Sequence, residues 1–447
     1  MVNRESSNSV GANARNESAA DGNYRLTGFS TQELHSKLIA GLDLSRIGSM
    51  SDEQIRSDIR QAAGDLCNLS SNLLTANDRE RLVNEVMDEA FGLGPLEGLL
   101  RDPDISDILV NGPHTIYVER KGRLELTGVK FADEPHLLQI VQRIVGRVGR
   151  RIDETSPIAD ARLADGSRVN AIIPPLALDG SLLCIRRFSA KPLKAEDLIA
   201  KQSIAPEMIE FLAGCVQARR NILISGGTGS GKTTFLNLMS GYIPHDERIA
   251  TIEDAAELRL QQPHVVRMET RPPNVEGHGE ILMRDLVRNA LRMRPDRVVI
   301  GESRGPEALD MLQAMNTGHD GSMTTLHAND TREALSRMEM MVGMAGFDMP
   351  MWVIRKQIAS AVHIVVQAAR LSGGVRKITK ISEITGMEGE VISMHDLFVF
   401  KQTGMDENRV AQGHFSSTGL RPKCLAHLEV MGVHLNPAIF DGGILTF

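Results

Sequence analysis

The sequence predicts an α/β fold, a mostly parallel sheet covered by helices on both sides, preceded by a smaller α+β domain and an N-terminal helical bundle. Three observations predict it. Past residue 190 short apolar runs alternate with segments of helical period. From residue 104 to residue 127 the apolar period is instead two. Residues 226–234, G-G-T-G-S-G-K-T-T, stand between the apolar run 221–225 and a helix-like run at 235–240, which is the strand–loop–helix setting of a phosphate-binding loop.

At 447 residues the chain exceeds one typical core, and 42% hydrophobic residues suffice for two or three domains. The net charge of −7 argues against a surface that wraps nucleic acid, and 4% aromatic residues offer no platform for stacking bases. Cys67, Cys184, Cys215 and Cys424 lack C-x-x-C spacing, which suggests neither a disulfide framework nor a zinc site and fits a reducing cytoplasm. No apolar run reaches bilayer length, and the polar N-terminus has no signal-peptide core. Membrane association is therefore expected to be peripheral, through partners and without direct insertion.

Residues 1–25, rich in Ser, Asn, Ala and Gly, read as a disordered tail. Residues 26–100 read as a helical domain: Leu34, Leu38, Ile39 and Leu42, then Ile55, Ile59, Ala62 and Leu66, recur at helical spacing, and Gly92, Gly94 and Pro95 break the pattern. Residues 101–190 read as the α+β domain, with strands at 105–112, 115–119 and 123–127, a helix at 134–148, and two more strand candidates, 161–174 and 182–188. Arg162, Arg168, Arg186 and Arg187 fall near its strand ends or turns. Surface arginines are commonly just solvated. Asp165-Gly166 is expected to turn the hairpin, and the loop length decides whether Arg162 and Arg168 share a face.

Residues 191–447 read as the nucleotide-binding domain. Strands are expected at 221–225, 248–252, 297–302 and 322–327, and helices at 280–293, with Leu282, Leu286 and Leu291 turned to the core, and at 306–315. The phosphate loop comprises Gly226, Gly227, Thr228, Gly229, Ser230, Gly231, Lys232, Thr233 and Thr234. Its glycines let backbone N–H groups converge on a polyphosphate, Lys232 reaches the β- and γ-phosphates, and Thr233 ligates Mg²⁺. Ligands of parallel sheets bind at the carboxyl ends of the strands, so Glu257, Glu302 and His327 are expected to converge on this loop. Glu302 closes an apolar strand and suits the base that activates water; the alternative is a solvated strand end. Glu253, Asp254 and Glu257 suit Mg²⁺, directly or through water, although an acidic loop opening a helix explains Asp254 equally well. His319 and His327 lack metal-ligand spacing and read as core histidines, the strand-end position of His327 also suiting a γ-phosphate sensor. No arginine of this domain stands out as a cation for the transition state, which draws attention to those of the α+β domain.

Together these stretches resemble the type II/type IV secretion ATPase superfamily, and most closely the CpaF-like ATPases of tight-adherence (Flp/Tad) pilus assembly. The likeness runs from about residue 80 to the C-terminus and rests on 105–112, 160–171, 185–188, the phosphate loop, 251–258, 292–296, 309–322 and 324–329. It implies a RecA-like ATPase domain preceded by a PAS-like domain, an Asp box at 253–257, an atypical Walker B at 297–302 and a His box ending at His327. It also implies an ATP- and Mg²⁺-dependent homo-hexamer whose N-terminal α+β domain closes over nucleotide and contributes arginines, with Arg162, Arg168 and Arg187 at the matching positions. Such rings dock under an inner-membrane platform protein and couple ATP hydrolysis to pilus assembly, with retraction as a further output, or to protein export. Ser303 and Pro306 depart from the pattern, which bears on local packing rather than chemistry. The competing classes are a RecA-like nucleic-acid translocase, disfavoured by the acidic balance, and a nucleotide-gated scaffold without turnover.

Overall fold

The computed structural model describes residues 76–445 apart from 121, 188–192 and 274–277, together with 53, 54, 57, 60 and 61. The tail, most of the expected helical segment and Cys67 lie outside the described residues. Two compact units make up the chain, one ending at Ala190 and the other spanning Lys191–Phe447.

In the first unit α1 (Ala76–Phe91) and α2 (Glu97–Arg101) lead into β1 (Ile105–Asn111), β2 (Ile116–Arg120), β3 (Arg123–Leu126), α3 (Glu134–Arg147), β4 (Ile158–Arg162), β5 (Arg168–Ile172) and β6 (Leu182–Arg186). The strands form one antiparallel sheet in the order β3-β2-β1-β6-β5-β4. Helix α3 starts where the Asp133 carboxylate accepts from the His136 N–H, and its apolar stripe, Leu137, Ile140, Val141, Ile144 and Val145, is buried. That stripe shares a core with the inward residues of the strands, among them Ile108, Val110, Val118, Val169 and Ile185. The turn between β4 and β5 is tied by Asp165, which accepts from the Ser167 N–H and hydroxyl. The expected strand 161–174 is thus two strands and a hairpin.

The second unit contains α4 (Ala195–Ala200), α5 (Pro206–Gln217), β7 (Ile222–Gly226), α6 (Lys232–Ser240), β8 (Ile249–Glu253), β9 (Val265–Glu269), α7 (Met283–Ala290), β10 (Arg297–Ile300), α8 (Glu307–Asn316), β11 (Met323–Leu326), α9 (Thr331–Gly343) and α10 (Met351–Ala361). It continues with β12 (Ile364–Arg370), β13 (Arg376–Glu388), β14 (Val391–Met405), β15 (Ala411–Ser417), α11 (Leu425–Val430) and β16 (Gly443–Ile444). The sheet order is β16-β15-β14-β13-β12-β7-β11-β10-β8-β9, and β12 through β9 in that order are parallel. Successive residues of the central strands serve opposite cores. Ile222, Ile224, Val299 and Met323 pack with α5 and α6 on one face, while Leu223, Val298 and Ile300 pack with α7 to α10 on the other.

The expectation of a mostly parallel sheet holds only for this central part, because β13 to β16 extend it as an antiparallel meander. Short connections such as 371–375 and 389–390 force that outcome, since a parallel return needs a crossover of a dozen or more residues. Helix α7 also differs from expectation. Leu282 is its N-cap and 52% exposed, and the buried positions are Met283, Val287 and Ala290. Among the described residues no helix is long and apolar enough to cross a membrane.

At the amino end of the sheet Arg297, fully buried, donates to both carboxylate oxygens of Glu247 at 2.5 and 2.9 Å and to the Val216 carbonyl. This end of β10 is an anchor; the candidate site residue Glu302 lies at the other.

Candidate active site at the carboxyl ends of the parallel strands

The phosphate loop leaves β7 at Gly226 and enters α6 at Lys232. A Cβ on Gly226 would strike the Ala368 carbonyl of β12, and Gly229 and Gly231 hold φ of +71° and +95°, so the loop can close only with glycine there. Gly231 is the N-cap of α6, which places the first N–H groups of that helix at the loop. The Lys232 ammonium donates to the Gly227 carbonyl at 3.1 Å and lies 4.0 Å from the Glu302 carboxylate. Burial lowers the pKa of Lys232 and Glu302 opposes that shift.

Glu302 follows β10, two strands from the phosphate loop in the sheet, with β11 between. A residue that the sequence reasoning missed holds it there. The Arg304 guanidinium donates twice to Glu302 Oε2, at 3.0 and 2.5 Å, and its other nitrogen is 3.7 Å from Asp254. Burial lowers the Arg304 pKa, but Glu302, then Asp254 and Glu257, more than offset this and leave it raised. The loop carrying Arg304 is set by Glu307, whose carboxylate accepts from the Arg304 and Gly305 N–H groups. The only hint in the sequence is a basic residue two positions after the strand-end acid. Of the two departures from the family pattern, Ser303 bonds Thr324 at 2.8 Å, and Pro306 is the N-cap of α8.

Glu253 ends β8 and is buried. One of its oxygens accepts from the Glu257 and Leu258 N–H groups at 2.8 and 2.9 Å, while Oε2 is buried without a partner among the described residues. Burial raises its pKa, and those two N–H bonds oppose the rise. Gly301 makes room for it, since a Cβ there would lie 2.8 Å from Glu253 Cγ. An unpartnered oxygen is what a hydrated cation needs, so Glu253 fits Mg²⁺. Asp254 is exposed and is committed to Arg304. His327 directly follows β11, between β7 and β10, and is half-buried. His319 lies at the opposite end of β11, where its N–H donates to the Ala314 carbonyl, and is therefore outside the site.

The arginines of the first unit separate by face. Arg162 pairs with Arg168, Arg168 with Arg186, and Arg186 with Asp107, so one row crosses four strands on one face of the sheet. Arg186 completes this row with an ion pair to Asp107 at 3.1 Å. Arg187 points the other way and donates to the Asp102 and Ile105 carbonyls, so the side chain grouped with Arg162 and Arg168 is Arg186.

Residues 89–414 match the family model described as "Type II/IV secretion system protein". The chain is 39% identical over 322 residues to a protein of Mycobacterium tuberculosis strain H37Rv named for conjugal transfer, covering 70% of this chain and 91% of that one. It is 31% identical over 328 residues to the type IV secretion system protein VirB11 of Bartonella henselae, covering 65% and 91% respectively. Among solved structures, the VirB11 ATPase of Brucella suis matches at 29% identity and a TM-score of 0.36, covering 66% of this chain and 97% of that one. The Legionella pneumophila ATPase DotB matches at 23% identity and 0.46, covering 63% and 77%. With a family model matched from α1 into β15, across both units and every strand-end side chain described above, the chain belongs to the type II/IV secretion system protein family.

Proposed function

We propose that this chain is a motor ATPase of the CpaF-like branch, built from a RecA-like domain behind a PAS-like domain and an N-terminal helical bundle. As a cytoplasmic homo-hexamer docked on an inner-membrane platform protein, it would couple ATP hydrolysis to assembly of an Flp/Tad-type pilus or to protein export. One observation carries the enzymatic part: a strand-end carboxylate, Glu302, within ion-pair range of the phosphate-loop Lys232.

Lys232 and the N–H groups opening α6 bind the β- and γ-phosphates. Glu302 takes the proton of the attacking water once Arg304 yields it, and Arg304 then turns toward Asp254 and Glu257. Thr233 and Glu253 would hold Mg²⁺, and the bound ion would supply charge that neutralises phosphate oxygens. His327 senses the γ-phosphate from the end of β11. Arg162 and Arg168 supply positive charge to a neighbouring or closing site. A site shared between subunits must be silent in monomers. ATP turnover measured against oligomeric state over a concentration series tests the reading. Turnover per subunit that is constant down to the monomer would remove the shared arginines, and absent turnover in the ring would leave a nucleotide-gated scaffold.

A further inference from the structure

A pair of arginines against the phosphate loop plays no part in the chemistry above. Strand β12 ends at Arg370 and β13 begins at Arg376, and the two are register partners across a tight hairpin. Arg376 Nε donates to the Gly229 carbonyl at 2.9 Å, and its Cδ is 3.6 Å from where a Cβ on Gly231 would stand. A guanidinium nitrogen of Arg370 is 3.6 Å from the corresponding position on Gly229. Both side chains are exposed. The hairpin is backed by Val410, so close that a Cβ on Gly373 would lie 2.7 Å from its Cα. The arginines therefore ride on a supported element.

The sheet order decides which part of a ligand they meet. β12 adjoins β7 on the side away from β11 and β10, so Arg370 and Arg376 flank the loop opposite Glu302. Lys232 and Arg376 rest alike on carbonyls of this loop, Gly227 and Gly229. A carbonyl is a weaker partner for a cation than a phosphate oxygen, so an arriving polyphosphate takes both over.

We propose that Arg370 and Arg376 bind the nucleotide's polyphosphate on the side away from Glu302, gripping the diphosphate that remains after the γ-phosphoryl group leaves. This rests on the nucleotide-binding reading of the preceding subsection and assigns residues to the retention of ADP.

The test is titration of the full chain with ADP and with ATP, over a salt series, for wild type, R370Q, R376Q, R370K and R376K. Each glutamine variant is expected to weaken ADP and ATP by the same factor, about tenfold, and to make binding less salt-dependent. The lysine variants should keep the salt dependence and lose part of the affinity, since lysine lacks the fork. Unchanged affinities would overturn the proposal. So would a loss confined to ATP or to turnover, which would place the pair at the γ-phosphate. Weakening with wild-type salt dependence would also overturn it, because the arginines would then only shape the loop. With two positions and two replacements at each, the result does not depend on one variant folding. If wild type binds neither nucleotide, or Lys232→Ala binds as wild type does, the nucleotide reading itself falls and takes this proposal with it.

Discussion

Replacing Glu302 by glutamine keeps the side chain's shape and removes its charge, with two consequences for the proposed reaction. Loss of a general base costs about 10²–10⁴ in kcat, or roughly 3–5 kcal/mol of barrier. The second consequence concerns binding. Glu302 lies 4.0 Å from the Lys232 ammonium, and the two side chains are 24% and 10% exposed. Unit charges at that separation attract by about 4 kcal/mol at an effective dielectric near 20, less the screening that partial exposure brings. Glutamine releases Lys232 and removes a negative charge from beside the incoming γ-phosphate, so ATP should bind as tightly as before or up to about tenfold tighter. Single-turnover hydrolysis and nucleotide titration on the same preparation separate the two effects. A kcat within about threefold of wild type would refute the base assignment, as would a fall in kcat matched by an equal rise in Kd. Arg304→Gln is the companion. Arg304 is 67% exposed, so its pair with Glu302 is worth at most about 1 kcal/mol, and turnover should change by no more than about fivefold. A loss as large as that of Glu302→Gln would make Arg304 a cation on the phosphate rather than the holder of Glu302.

Three further predictions concern stability and the first unit. Gly301→Ala should destabilise the second unit by about 1–3 kcal/mol in denaturant unfolding, since its Cβ would lie 2.8 Å from Glu253 Cγ; unchanged stability would show that Glu253 is free to move aside. Burial, with the charges of Arg220 and His427, holds His363 down at about 4, and its Nδ1 accepts the Asn221 N–H. The unfolded chain therefore takes up this proton first, so the contribution is intact above about pH 6.5 and is lost as pH falls towards 4, by roughly 3 kcal/mol. His363→Asn should flatten that limb of the stability profile, and an unaltered limb would assign it to other groups. Finally, Arg168→Ala should lower turnover more than ATP affinity. Arg187→Ala should instead lower the stability of the α+β unit by about 1–3 kcal/mol, because the Asp102 and Ile105 carbonyls each lose a charged donor. The reverse pattern would return Arg187 to the site.

What was legible in the sequence was whatever is written in local period or in a contiguous motif. The strands 222–226, 249–253, 297–300 and 323–326 are short and wholly buried, and they read as short, largely apolar or β-branched stretches between polar or charged residues. The turn at Asp165-Gly166 could be read, yet its consequence could not. Pairing Arg162 with Arg168 requires the register, and bringing in Arg186 in place of Arg187 requires the pairing of β5 with β6. Leu282 shares the helical spacing of Leu286 and Leu291, but it precedes the first residue of α7 as its N-cap, a boundary that spacing does not mark. Arg304 and Arg376 are not legible in the sequence for a different reason. Arg304 matters through Glu302, two residues before it, because of the loop conformation that Glu307 ties down, and Arg376 matters through Gly229, brought near by β12 lying beside β7. The distance in sequence from Gly229 to Arg376 is 147 residues, which no periodicity spans. The phosphate loop itself is the most recognisable stretch of the chain, but its charge environment is set by residues contributed from both neighbouring sides of β7. Glu302 stands on one side of it, and Arg370 and Arg376 on the other.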